Sequence, residues 1–94
     1  MLSDSQKQNI GTRLKRISGQ VNGVQRMVDE DRYCMDIVTQ VSAIVAALRT
    51  VEDIVLQNHL NTCVADAMRS DDAAEQREKI DEVMSVVGKL RKRG

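Results

Sequence analysis

Between Val24 and Val87 the chain contains neither glycine nor proline. A stretch of that length without a residue that breaks or frees the backbone favours long helices. Proline is absent altogether, and the five glycines lie at 11, 19, 23, 88 and 94. No segment reads as a strand and nothing repeats. The expected fold class is all-α, in one domain spanning residues 1–94.

Apolar spacing places three helices. The first covers Ser3 to Val28, with Ile10, Leu14, Ile17, Val21, Val24 and Val28 forming a seam of helical period. Ser3 or Asp4 suits its N-cap. Gly19 and Gly23 interrupt it at a four-residue spacing, and close helix contact is the expected reason for them. Asp29-Glu30-Asp31-Arg32 is a polar joint, with Asp31 expected to cap the second helix at about Arg32 to Arg69. The stripe of that helix runs Ile37, Val41, Ile44, Leu48, Val51, Val55 and on to His59 and Thr62 or Cys63. Ser70-Asp71-Asp72 is a further capping signal. It opens a third helix to about Arg91, with Ile80, Val83, Met84, Val87 and Leu90 as its apolar face.

The core must be aliphatic, since Tyr33 is the only aromatic residue. Aliphatic side chains bury less area each than aromatics. A short first helix cannot cover a second of about 55 Å at 1.5 Å per residue. Apolar surface is left over, which favours an oligomer.

The chain is neutral in total, but its charge is segregated. Residues 1–27 carry Lys7, Arg13, Lys15, Arg16 and Arg26 against Asp4 alone, about +4. Residues 89–94 carry Lys89, Arg91, Lys92 and Arg93, also about +4, and the middle about −8. Basic ends on a neutral chain suit one surface to a polyanion. Met1–Asn9 lacks the apolar core of a signal peptide, and no unbroken run of 18 apolar residues occurs. The expectation is a cytoplasmic chain with reduced thiols and no membrane span.

Cys34, His59 and Cys63 form the candidate ligand set. His59 and Cys63 are four residues apart on a helix and share a face. Cys34 lies 25 residues before His59, about 37 Å along one continuous helix, so the three cannot meet within it. They could meet if two copies packed antiparallel. Two thiolates and an imidazole are soft donors that select Cu(I) and also suit Zn(II), with water as a fourth ligand. Cobalt and nickel prefer more nitrogen and oxygen. Cys34 in a first helical turn is placed to favour thiolate. Each residue taken alone also has a plain packing role.

Thr12-Arg13-Leu14-Lys15-Arg16-Ile17-Ser18-Gly19-Gln20 alternates basic and apolar residues at helical spacing. Guanidinium forks on a helix match phosphate. No helix-turn-helix pattern is present, and the shortage of aromatics argues against single-stranded nucleic acid. Duplex DNA read through phosphates and shape fits.

The run Arg13-Leu14-Lys15-Arg16-Ile17-Ser18-Gly19-Gln20-Val21, then Cys34, then His59-Leu60-Asn61-Thr62-Cys63-Val64, resembles the CsoR/RcnR family of bacterial metal- and thiol-sensing repressors. The resemblance covers roughly residues 6–90. It implies three helices per chain, an antiparallel dimer with a four-helix-bundle core, and a dimer of dimers. It implies repression by binding operator DNA, with release on inducer binding. In the copper-sensing branch the ligands map onto Cys34, His59 and Cys63. DNA contacts map onto Arg13, Lys15 and Arg16, with Arg49 a weaker match. Tyr33 matches a residue that braces the ligands, and Glu75 or Glu78 would supply the family's bracing acid.

Within the family, nickel and cobalt sensors typically carry a histidine near the N-terminus, where residue 3 here is Ser. Formaldehyde sensors carry Pro at position 2, where this chain has Leu2. Persulfide sensors keep both cysteines and usually lack the histidine. The resemblance therefore implies a Cu(I)-responsive homotetrameric repressor. Its alternative is a sensor in which reactive sulfur bridges Cys34 and Cys63. A metal-carrying bundle without a DNA role is a third reading. An enzyme is disfavoured, because no acid/base pair or nucleophile–base contact is available within one chain.

Overall fold

Every regular element in the computed structural model is helical. The structure describes residues 2–93; Met1, Gly94 and the side chains of Arg91 and Arg93 in the basic end lie outside the described residues. Helix α1 is Asp4–Asp29 and α2 is Cys34–His59. A π-helical turn, Leu60–Val64, follows directly, then α3 (Ala65–Arg69) and α4 (Ala73–Arg93). The described residues contain no strand. The second expected helix thus exists as one helical run, Cys34–Arg69, with a widened turn inside it.

Residues Leu2–Leu56 form one compact unit. Ser3 begins it with a capping box: its Oγ accepts from the Gln6 N–H (3.2 Å), and its own N–H donates to Gln6 Oε1 (2.8 Å). The buried apolar residues of this unit are Ile10, Ile17 and Ile44, all members of the expected seams. Leu14, Val21, Val28, Val41, Leu48 and Val55 remain exposed at 41–52%. The seams are real in register, but one chain does not close them. A Cβ on Gly19 would meet nothing within 4 Å, and one on Gly23 only the end of Arg26. Close contact inside this chain is therefore not what the two glycines serve.

The joint between α1 and α2 corrects one expectation. Asp31 does not cap α2, which starts at Cys34 behind Tyr33. The Tyr33 carbonyl accepts from the Asp36 and Ile37 N–H groups (3.0 and 3.3 Å). Asp31 instead ends α1. It has φ 54°, the left-handed region. Its N–H donates to the Val28 carbonyl (3.2 Å), and that of Arg32 to the Met27 carbonyl (2.9 Å). That pair of bonds is a Schellman motif, in which glycine is usual at the position Asp31 occupies.

The second unit runs from Gln57 through α4. Here α4 packs along the π turn and α3. Ala67 is fully buried and Asn58 is the buried polar residue. Asp72 caps α4 by accepting from the Ala74 N–H (2.9 Å), as its place in the capping signal predicts. Gln76 Nε2 donates to the Ser70 carbonyl (2.7 Å) and clamps the joint between α3 and α4. The face of α4 that is half-buried reads Gln76, Lys79, Val83, Val87 and Leu90. Ile80 and Met84, expected on that face, are exposed at 47% and 62%.

By length and composition Cys34–Arg69 is apolar enough to cross a membrane, with mean hydropathy 1.4 over its most apolar 18 residues. This qualifies the expectation drawn from the absence of an unbroken apolar run. A core helix of a soluble protein has the same composition when a partner covers its stripe.

Candidate metal centre and DNA-binding face

His59 is the last residue of α2, and Cys63 lies in the π turn that follows. Thr62 lies within this turn and bonds back to the preceding one. Its Oγ1 donates to the Asn58 carbonyl (2.8 Å), the group that accepts the Thr62 N–H in a regular α-helix. Thr12, Thr39 and Thr50 make the same back-bond within regular helix, so the bond alone does not widen a turn. A buried Asn58 beneath it is what distinguishes the Thr62 position. Single π turns inside α-helices often mark functional sites.

The same hydroxyl is 3.6 Å from Cys63 Sγ. A hydroxyl proton that turns from the Asn58 carbonyl to the sulfur stabilises a thiolate. This contact is the first cause holding the Cys63 thiol below its ordinary range, and the Lys79 charge acts in the same direction against an opposing effect of burial. Cys63 is half-buried and Cys34 exposed, and neither is in a disulfide.

His59 Nε2 is 3.1 Å from Glu82 Oε1. The nitrogen is buried, and the approach is not aligned as a hydrogen bond. It is a close charge contact when the imidazole is protonated. Glu82 Oε2 is 3.6 Å from Lys79 Nζ, one turn earlier on α4. The acid that meets His59 is therefore Glu82, in place of Glu75 or Glu78. Glu75 sits in the first turn of α4 with its N–H on Asp72 Oδ1 (3.4 Å), and Glu78 is exposed.

Cys34 is the first residue of α2, in the Leu2–Leu56 unit, beside an exposed Tyr33. Among the described residues of a single chain, no three His, Cys, Asp or Glu side chains gather as a metal site. The donors present are nonetheless of the right kind. The Cys63 thiol is held below its ordinary range. His59 has turned Nε2 to a carboxylate, which leaves Nδ1 as the nitrogen for a ligand bond.

The basic residues sit on the other unit. Lys15 and Arg16 are exposed on α1, and Arg49 is exposed on α2. Arg13 is half-buried, with Nε donating to Asn9 Oδ1 (3.3 Å). That bond holds the guanidinium along the helix surface.

Residues 6–89 match the family model described as metal-sensitive transcriptional repressor. The chain belongs to that family. Among curated relatives of this repressor is the copper-sensing transcriptional repressor CsoR of Bacillus subtilis. It is 46% identical over 90 residues, which cover 96% of this chain and 86% of that one. The copper-sensing repressor RicR of Mycobacterium tuberculosis is 49% identical over 63 residues, 67% of this chain and 66% of its own. Among solved structures, CsoR with Cu(I) from Geobacillus thermodenitrificans superposes with a TM-score of 0.87 at 44% identity, covering 97% of this chain and 92% of that one. The nickel-responsive regulator InrS gives 0.76 at 30% identity, covering 90% and 96%. The repressor's all-α fold is thus the fold of its family.

Proposed function

We propose that this repressor responds to Cu(I): it binds operator DNA without the ion and gives it up when the ion is held by His59 and Cys63 together with Cys34 of the partner subunit. The observation that carries this reading is the His59–Glu82 contact. It faces one imidazole nitrogen to a carboxylate and leaves the other for a ligand, on the same helical run as a Cys63 thiol held below its ordinary range. Two such thiolates and one imidazole satisfy Cu(I) without a fourth ligand, whereas Zn(II) takes four. The copper-sensing relatives support the same choice.

A bound Cu(I) would supply one soft Lewis-acid centre shared by donors of two subunits. The chain's own residues then do the coupling. His59, with Nδ1 engaged, holds its proton on Nε2, and a small turn of the ring aligns that N–H with Glu82 Oε1. Glu82 belongs to α4, so the alignment shifts α4 against the π turn. A differential contact of this kind supplies about 1–3 kcal/mol of coupling between two sites.

The DNA side of the reading uses Arg13, Lys15, Arg16 and Arg49 as phosphate contacts. The exposed stripes at Val21, Val41, Leu48 and Val55 are covered by a second copy in an antiparallel dimer, and two dimers form the tetramer. The repressor works in the cytoplasm, where its thiols stay reduced. His59→Ala tests the ligand set. Weaker Cu(I) binding in a chelator competition and loss of Cu(I)-driven DNA release are expected; unchanged values of both would remove the three-ligand site.

The lowered Cys63 thiol also favours a second reading, in which reactive sulfur links Cys63 to Cys34 of the partner subunit. Mass spectrometry after polysulfide treatment separates the two, since a linked dimer with added sulfur belongs to the second reading alone.

A further inference from the structure

The Glu82 side chain is 47% exposed, and among the described residues of its own helix Lys79 is the cation that pairs with it. A carboxylate that open to water does not hold one orientation unaided. Its two oxygens are nevertheless divided: Oε1 faces His59 Nε2 at 3.1 Å, and Oε2 faces Lys79 Nζ at 3.6 Å. Lys79 lies three residues before Glu82, on the half-buried face of α4, and its side chain is 32% exposed. The ammonium is thus anchored on the helix that carries Glu82. It can steer the carboxylate without contacting His59.

We infer that Lys79 is a positioning residue for inducer coupling: by holding Glu82 Oε2 it keeps Oε1 presented to His59. The inference rests on the ion-responsive reading above and adds to it a residue outside the ligand set and the DNA face. Lys79 acts more on how much of the ion's binding reaches α4 than on the affinity for the ion. An arginine serves the same purpose, because its fork also reaches a carboxylate one turn away. A methionine keeps the aliphatic stem and removes the charge.

The test uses the full chain with its operator, kept anaerobic, and compares wild type with K79M, K79R, E82Q and K79M/E82Q. Cu(I) affinity is read by chelator competition, and DNA affinity by anisotropy with and without Cu(I). K79M is expected to reduce the Cu(I)-induced fall in DNA affinity about three- to fivefold, within the range such couplings span, and to change Cu(I) affinity by a smaller factor. K79R restores it. K79M has no further effect in the E82Q background, because the two residues act through one contact. An unchanged release factor in K79M, or a full K79M effect retained in E82Q, overturns the inference. A wild-type protein that ignores Cu(I) overturns the underlying reading instead. The positioning role is then decided on the ion-free protein by the two-bond nitrogen–proton spectrum of the His59 imidazole. That spectrum changes in K79M and returns in K79R if Lys79 orients Glu82; an unchanged K79M spectrum rules the role out.

Discussion

His59 Nε2 and Glu82 Oε1 stand 3.1 Å apart, joining the end of α2 to the middle of α4. The contact is short, yet it does not meet the geometry of a hydrogen bond. A well-made bond would have nothing left to gain when a ligand engages the other nitrogen. In the proposed mechanism a bent one is straightened when the ion binds, and the gain drives movement of α4.

Glu82→Gln should weaken Cu(I) binding by about tenfold, the lower end of the 10–100-fold by which residues behind a ligand typically alter metal affinity. The Cu(I)-driven release of DNA should fall further than the affinity does. Glu75→Gln and Glu78→Gln should leave both unchanged. Chelator competition and DNA anisotropy on the three variants check this, and equal effects at all three positions would remove Glu82 from its place.

Thr62→Val should raise the Cys63 thiol toward its ordinary range, because the hydroxyl contact is the first cause of its lowering. The thiolate is the reacting form, so a raised thiol means less thiolate at neutral pH and slower alkylation. With Cys34→Ser removing the other thiol, iodoacetamide kinetics against pH should show the midpoint moving up in Thr62→Val and staying in Thr62→Ser. The sign is fixed: a midpoint that moves down contradicts the assignment.

Most helix boundaries are legible in the sequence because they rest on local chemistry. Ser3 with Gln6, and Asp72 before α4, are capping residues whose partners lie within four positions. Asp31 misleads for the same local reason. An Asp before an apolar run reads as an N-cap, and only the backbone shows it closing α1 at positive φ. The π turn is invisible in the sequence because the apolar spacing runs on through it, and the Thr62 back-bond inside it is one that Thr12, Thr39 and Thr50 also make in regular helix. Glu82 escapes a reading of the sequence because choosing among acids on α4 needs the register set by Gln76 and the 70–72 joint, which is tertiary information.

Asp31→Gly should stabilise the protein by about 0.5–1 kcal/mol, the left-handed cost of an L-residue less the extra unfolded-state freedom of glycine. For a domain of this size that is a rise of about 2–8 °C in Tm. The comparison must hold protomer concentration fixed. Asp31→Val should lower Tm, and a Val variant as stable as wild type would contradict the Schellman assignment.

Arg16→Ala should weaken DNA binding evenly across sequences and lower the slope of log affinity against log salt by about 0.9 for each phosphate that the side chain neutralises. Lys15→Ala should behave alike. Arg13→Ala should cost at least as much, since its Asn9 bond fixes the guanidinium before DNA arrives. Salt titrations with operator and unrelated duplexes decide this; an unchanged slope would take the residue off the DNA face.

The most direct test of the copper-responsive mechanism is the affinity of the full chain for duplex DNA from its own upstream region, measured anaerobically with and without one equivalent of Cu(I) per protomer. Tight binding without the ion is predicted, with a fall of about 5–150-fold with Cu(I), the range of typical couplings, and little change with Zn(II) or Ni(II). Tight binding that Cu(I) leaves unaltered would contradict the mechanism and turn attention to reactive sulfur at Cys34 and Cys63.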